Sequence, residues 1–238
     1  MGTRWTRMLV LAGLFVFPVF GAFSQYRAAV LELPTSEQYV NLVKAIAADR
    51  KVTIEVEVVP TARASFLLRN QKVDFLVPTG RALVARKVGV AMEYAAPLFP
   101  MAFVLYTNKR KPVDLEDLRA GNRKGARIET SVSTVESFGF PASPSYSIEA
   151  SLKKVDAQVI DGLLYSQASG DSVLRQLGLK SIQRNLFVNI EMSFGVAPGR
   201  EGVSRLLNEG MESLRKSGKL ETLTGDLVRV ATWSDWQP

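Results

Sequence analysis

The sequence predicts an α/β protein built in two lobes joined by two crossover hinge segments, with the first lobe discontinuous along the chain. Three observations carry that expectation. At the start, a helical run separates two strand-like runs, the order that makes a parallel sheet. Further on, a phrase recurs: SFLLRNQKVDFLVP at 65–78 and EASLKKVDAQVID at 149–161 each pass from a helical run through a polar break to Val-Asp and an apolar stretch. Aligning Asp74 with Asp156 makes this a repeat of 82 residues. Finally, two extended apolar segments, Tyr94–Tyr106 and Phe187–Ala197, supply passages between lobes, one near Tyr106 and one near Phe194. The expected division is residues 25–106 plus 196–238 for lobe 1 and 107–195 for lobe 2.

Each element has a local reason. Tyr26–Leu33 is apolar and strand-like until Pro34-Thr35-Ser36 breaks it. Residues 37–48 place Tyr39, Leu42, Val43 and Ile46 on one helical face, with Ser36 available as N-cap. Val52–Val59 alternates as a strand with one wetter face, and Pro60 opens the helix that runs into the Asp74 strand. Asp114–Leu118 reads as a short helix closed by Gly121, and Ala126–Glu129 as a strand leading through Thr130–Thr134 into a helix. Phe140–Ser147, rich in Pro and Ser, is a surface loop. The apolar run that ends at Asp161 is a strand, and Ser172–Leu177 a helix with Gly178 after its end. A last long helix, about 202–217, aligns Val203, Leu207, Gly210 and Leu214, and Trp233 and Trp236 cover an apolar surface.

Composition narrows the function. With 47% apolar residues in 238, the chain can bury a sizeable core. Arg4 and Arg7 precede Met8–Phe23, an apolar run of 16 residues that is short of the roughly 20 needed to span a bilayer. Small residues at Ala22 and Ser24 make residues 1–24 a signal peptide cleaved near Ser24–Gln25, and the protein periplasmic. Without that stretch 28 basic residues face 23 acids, a mild +5 with the signs interspersed, so no nucleic-acid surface is expected. There is no Cys and no His. That removes Ser-His-Asp and Cys-His nucleophilic sites and ordinary zinc sites, leaving carboxylate or lysine catalysis. An enzyme is therefore not the expectation, and no cofactor or metal is expected.

These phrases, in this order, resemble a known family: bacterial extracellular solute-binding proteins of the family 3 type, which capture amino acids with the type 2 periplasmic binding fold. The resemblance runs over about residues 60–225. It is carried by PTARASFLLRNQKVDF, ARKVGVAMEYAAPLFPMAFVLYTNK, VDLEDLRAGNRKGARIE, EASLKKVDAQVID and SFGVAPGREGVSRLLNEGMESLRKSGKLETL. The chain departs from the family pattern in three places. Leu33-Pro34-Thr35 lacks the aromatic-proline phrase, Ser131-Val132-Ser133 replaces a Gly-Ser pair, and Val84 stands two residues before Arg86 where the family has Thr.

A zwitterion held in a cleft needs an anion site and a cation site. A guanidinium suits a carboxylate because its planar fork makes two parallel bonds. Arg86, 12 residues after Asp74, and Arg81, 7 after it, compete for that role, beside Thr79. Ser131, Ser133 and Thr134 stand where a second-lobe helix should begin, offering hydroxyls and backbone N–H groups, or simply capping it. Asp161 is expected to end its strand, where open α/β sheets bind ligands, and the resemblance implies that it pairs with a ligand ammonium. Its counterpart in the first unit is Thr79, each 5 residues past the aligned acid. Aromatics available to such a cleft are Phe66, Tyr94, Phe99, Tyr106 and Tyr165. The resemblance implies a monomer that closes on a small polar ligand and is recognised by the permease of an ATP-driven (ABC) importer. Alternatives are a sensing module for a membrane receptor, a degenerate envelope interaction protein, and an enzyme of the same fold acting on a carboxylated ring.

Overall fold

The computed structural model describes residues 25–33, 35–80, 92–122, 124–231 and 233–234. The expected β-helix-β start is present. β1 (Gln25–Leu31) pairs in parallel with β2 (Thr53–Val59), and α1 (Ser36–Arg50) connects them. β1 also pairs in parallel with β3 (Phe75–Gly80), which follows α2 (Thr61–Arg69). A second group repeats this plan. β6 (Ile128–Ser131) pairs in parallel with β7 (Ser143–Ser145) and with β8 (Gly162–Ser166), and α4 (Ile148–Asp156) precedes β8 as α2 precedes β3. The short α3 (Leu115–Arg119) leads into this group, capped by Asp114, whose carboxylate accepts from the N–H groups of Glu116 and Asp117.

One strand joins the two groups. β9 (Ile182–Val196) pairs antiparallel with β5 (Pro100–Asn108) as far as Glu191, then with β3 and β4 (Glu93–Ala95) from Met192 onward. The order is β2-β1-β3-β9-β5-β8-β6-β7. Both extended apolar segments are therefore strands. From Pro100 on, β5 lies with β8 and β9, so the outward passage precedes Pro100 and the return falls between Glu191 and Met192.

α1 buries the expected face, Tyr39, Leu42, Val43 and Ile46. It meets α6 (Glu201–Lys216), which buries Val203, Leu207, Gly210 and Leu214 as expected, together with Leu206 and Met211. Gly210 is needed there: a Cβ on it would stand 2.7 Å from Ile46 Cγ2. Burying each such aliphatic chain stabilises the fold by roughly 1.5–3 kcal/mol. Ser36 is not the N-cap of α1. Thr35 occupies that position, and the Ser36 hydroxyl instead accepts from Leu33 N–H at 2.7 Å. A further helix not expected from the sequence, α7 (Lys219–Ala231), buries Leu220, Thr224 and Leu227 and lies against α1, α6, β5 and α5 (Gln167–Leu177).

The stretch Ser131–Thr134 does not open a helix. Val132–Thr134 makes a single 3₁₀ turn, and the chain then loops so that Phe138 reaches Phe103 and Phe187 and Phe140 reaches Phe187, with ring centroids 5.3–5.9 Å apart. A helix continuing from Ser131 would pull those two rings away from their partners.

Candidate functional site

The two groups are related more closely than their sequences suggest. Arg27 N–H donates to Asp74 Oδ2 at 2.8 Å, and Asp74 N–H returns a bond to Arg27 O at 2.8 Å. Arg127 N–H donates to Asp161 Oδ2 at 2.7 Å, and Asp161 N–H donates to Arg127 O at 2.9 Å. Each arginine also reaches back, Arg27 Nη2 to Gln71 O and Arg127 Nη2 to Gln158 O, both at 3.3 Å. Both glutamines have positive φ, 52° and 58°. The same clasp thus locks the start of β3 and the start of β8, and the true repeat distance is 87 residues, from Asp74 to Asp161.

This corrects the placement of Asp161. The acid does not end its strand; it precedes β8, because α4 runs on to Asp156 and Ala157–Asp161 form the turn. Asp156, not Asp161, belongs to the helix end, where its carboxylate accepts from Ser181 Oγ. Asp161 is 6% exposed, and besides the clasp it pairs with Lys111 Nζ at 2.5 Å and Arg127 Nε at 3.4 Å. Burial opposes its ionisation, but hydrogen bonds from Lys111 and from the Arg127 backbone and side chain outweigh it and hold the carboxyl below its ordinary range. With Gly162 opposite Thr107, it lies five residues of strand, about 16 Å, from the other end of β8. A cavity of about 260 Å³ opens beside it, lined by Lys111, Val113, Asp117 and Lys124 among others. Both of its lysines are already paired, Lys111 with Asp161 and Lys124 with Asp117.

The carboxyl ends of the strands face elsewhere, and they converge. At the end of β3, Thr79 stands opposite Ser193 and Gly80 opposite Met192 of β9. At the end of β8, Ser166 stands opposite Phe103, which faces Val188 of β9. β6 runs parallel to β8, and Ser131 lies one residue beyond the Thr130–Leu164 pair. So the strand ends of both groups point at the stretch where β9 crosses between them, the position at which open α/β sheets bind ligands.

Hydroxyls crowd this region. Thr79 is buried, and its carbonyl accepts from Ser193 Oγ at 3.5 Å. Thr130 and Thr134 hydroxyls meet at 2.9 Å, and Ser131 and Ser133 at 3.0 Å. Ser166, which the sequence reading passed over, occupies in the second group the place of Thr79 in the first, and its hydroxyl donates to Ser169 Oγ at 3.2 Å at the start of α5. A usable signal existed: Gln71 and Gln158 stand 87 residues apart, each three residues before the acid of its clasp. The structure therefore places Thr79 at the end of β3 and Ser131, Ser133 and Thr134 at and just beyond the end of β6, and sets Asp161 at the start of β8. Arg81 and Arg86 lie outside the described residues. Of the aromatics, Phe99 and Tyr106 are buried in the core, Tyr94 and Tyr165 are half-buried, and Phe66 is 59% exposed on α2.

No protein-family model matches the sequence, and no curated protein matches it. Solved structures do match in fold. A histidine kinase sensor domain with similarity to periplasmic binding proteins superposes with TM-score 0.64 at 15% identity, over 84% of this chain and 95% of that one. The substrate-binding protein of an amino acid ABC transporter gives 0.62 at 12%, over 87% and 100%. The GluR0 ligand-binding core from Nostoc punctiforme, in complex with L-glutamate, gives 0.65 at 11%, over 84% and 98%.

Proposed function

Because the chain has the two-lobed fold of type 2 periplasmic binding proteins, we propose that it is a solute-binding protein that captures a small polar ligand by closing its lobes and performs no catalysis. The observation that carries this is the convergence of the strand ends of two equivalent groups, with their hydroxyls, on the single crossing of β9. Closure about the two inter-sheet passages would bury a ligand between Thr79 on one side and Ser131, Ser133 and Thr134 on the other. Arg81 and Arg86, which follow β3 in sequence, are the candidate partners for a ligand carboxylate. The division into a discontinuous first lobe and an inserted second lobe, and action as a monomer, belong to the same proposal.

Export to the periplasm is supported by the basic start and the apolar Met8–Phe23 stretch. Among the described residues, no helix is long and apolar enough to cross a membrane. The permease of an ABC importer is the proposed partner, in line with the importer component among the matched structures. A sensing module is the second reading, favoured by the kinase sensor domain. A pull-down of the closed form that brings down a permease supports the first, and one that brings down a receptor supports the second.

The test is thermal unfolding against amino acids, small carboxylates, amines and sugars. A ligand at about 100 times its Kd stabilises by roughly 2.7 kcal/mol. The reading expects one chemical class to raise the midpoint and Ser131→Ala with Thr79→Val to cancel the rise. A flat response across the panel would sink it.

A further inference from the structure

The two groups of strands are joined through a narrow ribbon. The outward passage, before Pro100, and the return at Glu191–Met192 lie side by side. Leu98 N–H donates to Met192 O at 2.8 Å, and Met192 N–H donates to Phe99 O at 3.0 Å. Such a ribbon bends and twists about its own line, as hinges between lobes do. The C-terminal segment adds a further connection. α7 leaves α6 through the turn Ser217-Gly218, with φ 69° at Gly218, and lies against α1 and α6 of the first group. It buries Leu220 and Leu227 and also touches β5 and α5 of the second group. Beyond it, the Trp233 ring packs against the apolar cluster of Val104, Tyr106, Leu163 and Leu174. The other members of that cluster among the described residues all lie between Val104 and Ile182. Trp233 therefore enters it from outside the second group.

We propose that Trp233–Ser234 is a releasable strap that ties the end of α7 to the second group and restrains movement of one lobe against the other. This goes beyond the solute-binding reading, because it concerns the freedom of the lobes whether or not a solute is bound. The strap lies at the surface, with Trp233 half-buried and Ser234 exposed. Its bonds add to a network that is already paired without it. Buried Arg184 pairs with Asp171, which also accepts from Tyr106 Oη at 2.9 Å and Gln167 Nε2 at 3.1 Å. To this the strap adds Ser234 O, accepting from Arg184 Nη2 at 3.2 Å, and Ser234 Oγ, accepting from Gln167 Nε2 at 2.8 Å. The indole ring lies 5.5 Å from the guanidinium. When the tail lifts, Arg184 and Asp171 keep each other, so no charge is stranded, and water replaces the Ser234 oxygens. The hold of α7 is different in kind. Lifting it would expose Leu220 and Leu227 to water, so the strap opens at Trp233 and leaves the helix in place.

The experiment reads the distance between lobes in the ligand-free protein by pulsed electron paramagnetic resonance. The chain has no Cys, so spin labels at Ala48→Cys on α1 and Ala150→Cys on α4, both exposed positions, report on the two groups without interference. With the native tail the expected distance distribution is narrow. Trp233→Ala combined with Ser234→Ala should make it about twofold wider, with the circular dichroism spectrum unchanged. Trp233→Leu, which keeps an apolar contact and loses the ring over Arg184, serves if the double variant does not fold; it should widen the distribution by a smaller amount. Equal widths in a folded variant overturn the inference, leaving the tail as a cover for the cluster. A distribution already broad with the native tail overturns it as well. Neither result bears on the ligand panel, by which the solute-binding reading stands or falls separately.

Discussion

The β1–α2–β3 and β6–α4–β8 units are locked at their strand starts by the same backbone clasp, Arg27 with Asp74 and Arg127 with Asp161, yet they end in different chemistry. The starts are where backbone N–H and C=O groups must be satisfied on leaving a helix, so one solution serves both units. Past β1 and β6 the units diverge: Leu31 and Leu33 of the first pack against the apolar core, whereas the matching Ser131 and Ser133 of the second bond each other through their hydroxyls. Scaffold repeats where hydrogen-bond geometry demands it, and side chains differ where geometry leaves a choice.

Behind β8 the second unit carries a further device. Arg184 and Asp171 form a buried ion pair braced by Tyr106 and Gln167, over which α5 packs so closely that a Cβ on Gly170 would meet the Tyr106 hydroxyl. The C-terminal residues join it: Ser234 O accepts from Arg184 Nη2 at 3.2 Å, Ser234 Oγ from Gln167 Nε2 at 2.8 Å, and the Trp233 ring lies 5.5 Å from the guanidinium. The expectation that Trp233 covers an apolar surface is met, since it packs against the cluster of Tyr106 and Leu174, while Trp236 lies outside the described residues. Arg184→Ala should cost the most of any single change, about 3–5 kcal/mol, because it strands Asp171 without its partner. Chemical denaturation measures this, and a loss below about 1 kcal/mol would mean that the pair is solvated.

The clasps come next. Asp74→Ala and Asp161→Ala each strand a backbone N–H, at about 1–3 kcal/mol. The second should cost more, since Asp161 also pairs with Lys111 at 2.5 Å and with Arg127, whereas Asp74 adds only Arg200 at 3.7 Å. Equal losses would show that the Lys111 and Arg127 pairs contribute no more than that longer contact.

Gly210→Ala should cost less, roughly 1–2 kcal/mol, as overpacking against Ile46 is partly offset by the better helix propensity of Ala. Combining it with Ile46→Val should return part of that loss, which a double-mutant cycle reads.

The smallest effect concerns pH. The folded pKa of Asp161 is depressed, so its contribution is present above the unfolded value near 3.8 and is lost as pH falls through the lower folded value. Asp161→Asn should therefore flatten the stability curve below about pH 4 and leave its slope near neutrality unchanged. An unchanged acid limb would assign that limb to other carboxylates.

Much of the fold was legible because it is written in local periodicity. The buried face of α1, the face of α6 and both long extended segments follow from spacing alone. The helix α7 was missed although Leu220, Thr224 and Leu227 keep helical spacing, since Gly225 interrupts an otherwise polar run. Thr79 and Ser131–Thr134 do follow or end their strands, β3 and β6, as their place in the sequence suggested, whereas Asp161 was set at the wrong end of β8. VDAQVID holds two acids five apart, each after an apolar residue and before a small one, and nothing local says which of them leaves the helix.

By itself the sequence determined the α/β class, the doubled plan and the two passages between sheets, because helix and strand spacings act over a few residues. Only the tertiary structure decided the register of the second unit. Leu152 and Val155 extend α4 by packing into the core, and the backbone of Arg127, just before β6 and over thirty residues away in the chain, selects Asp161 for the clasp. That selection puts Asp161 at the start of β8 and leaves Ser166 at its end, so a pairing between distant segments settled which end of the strand carries the acid.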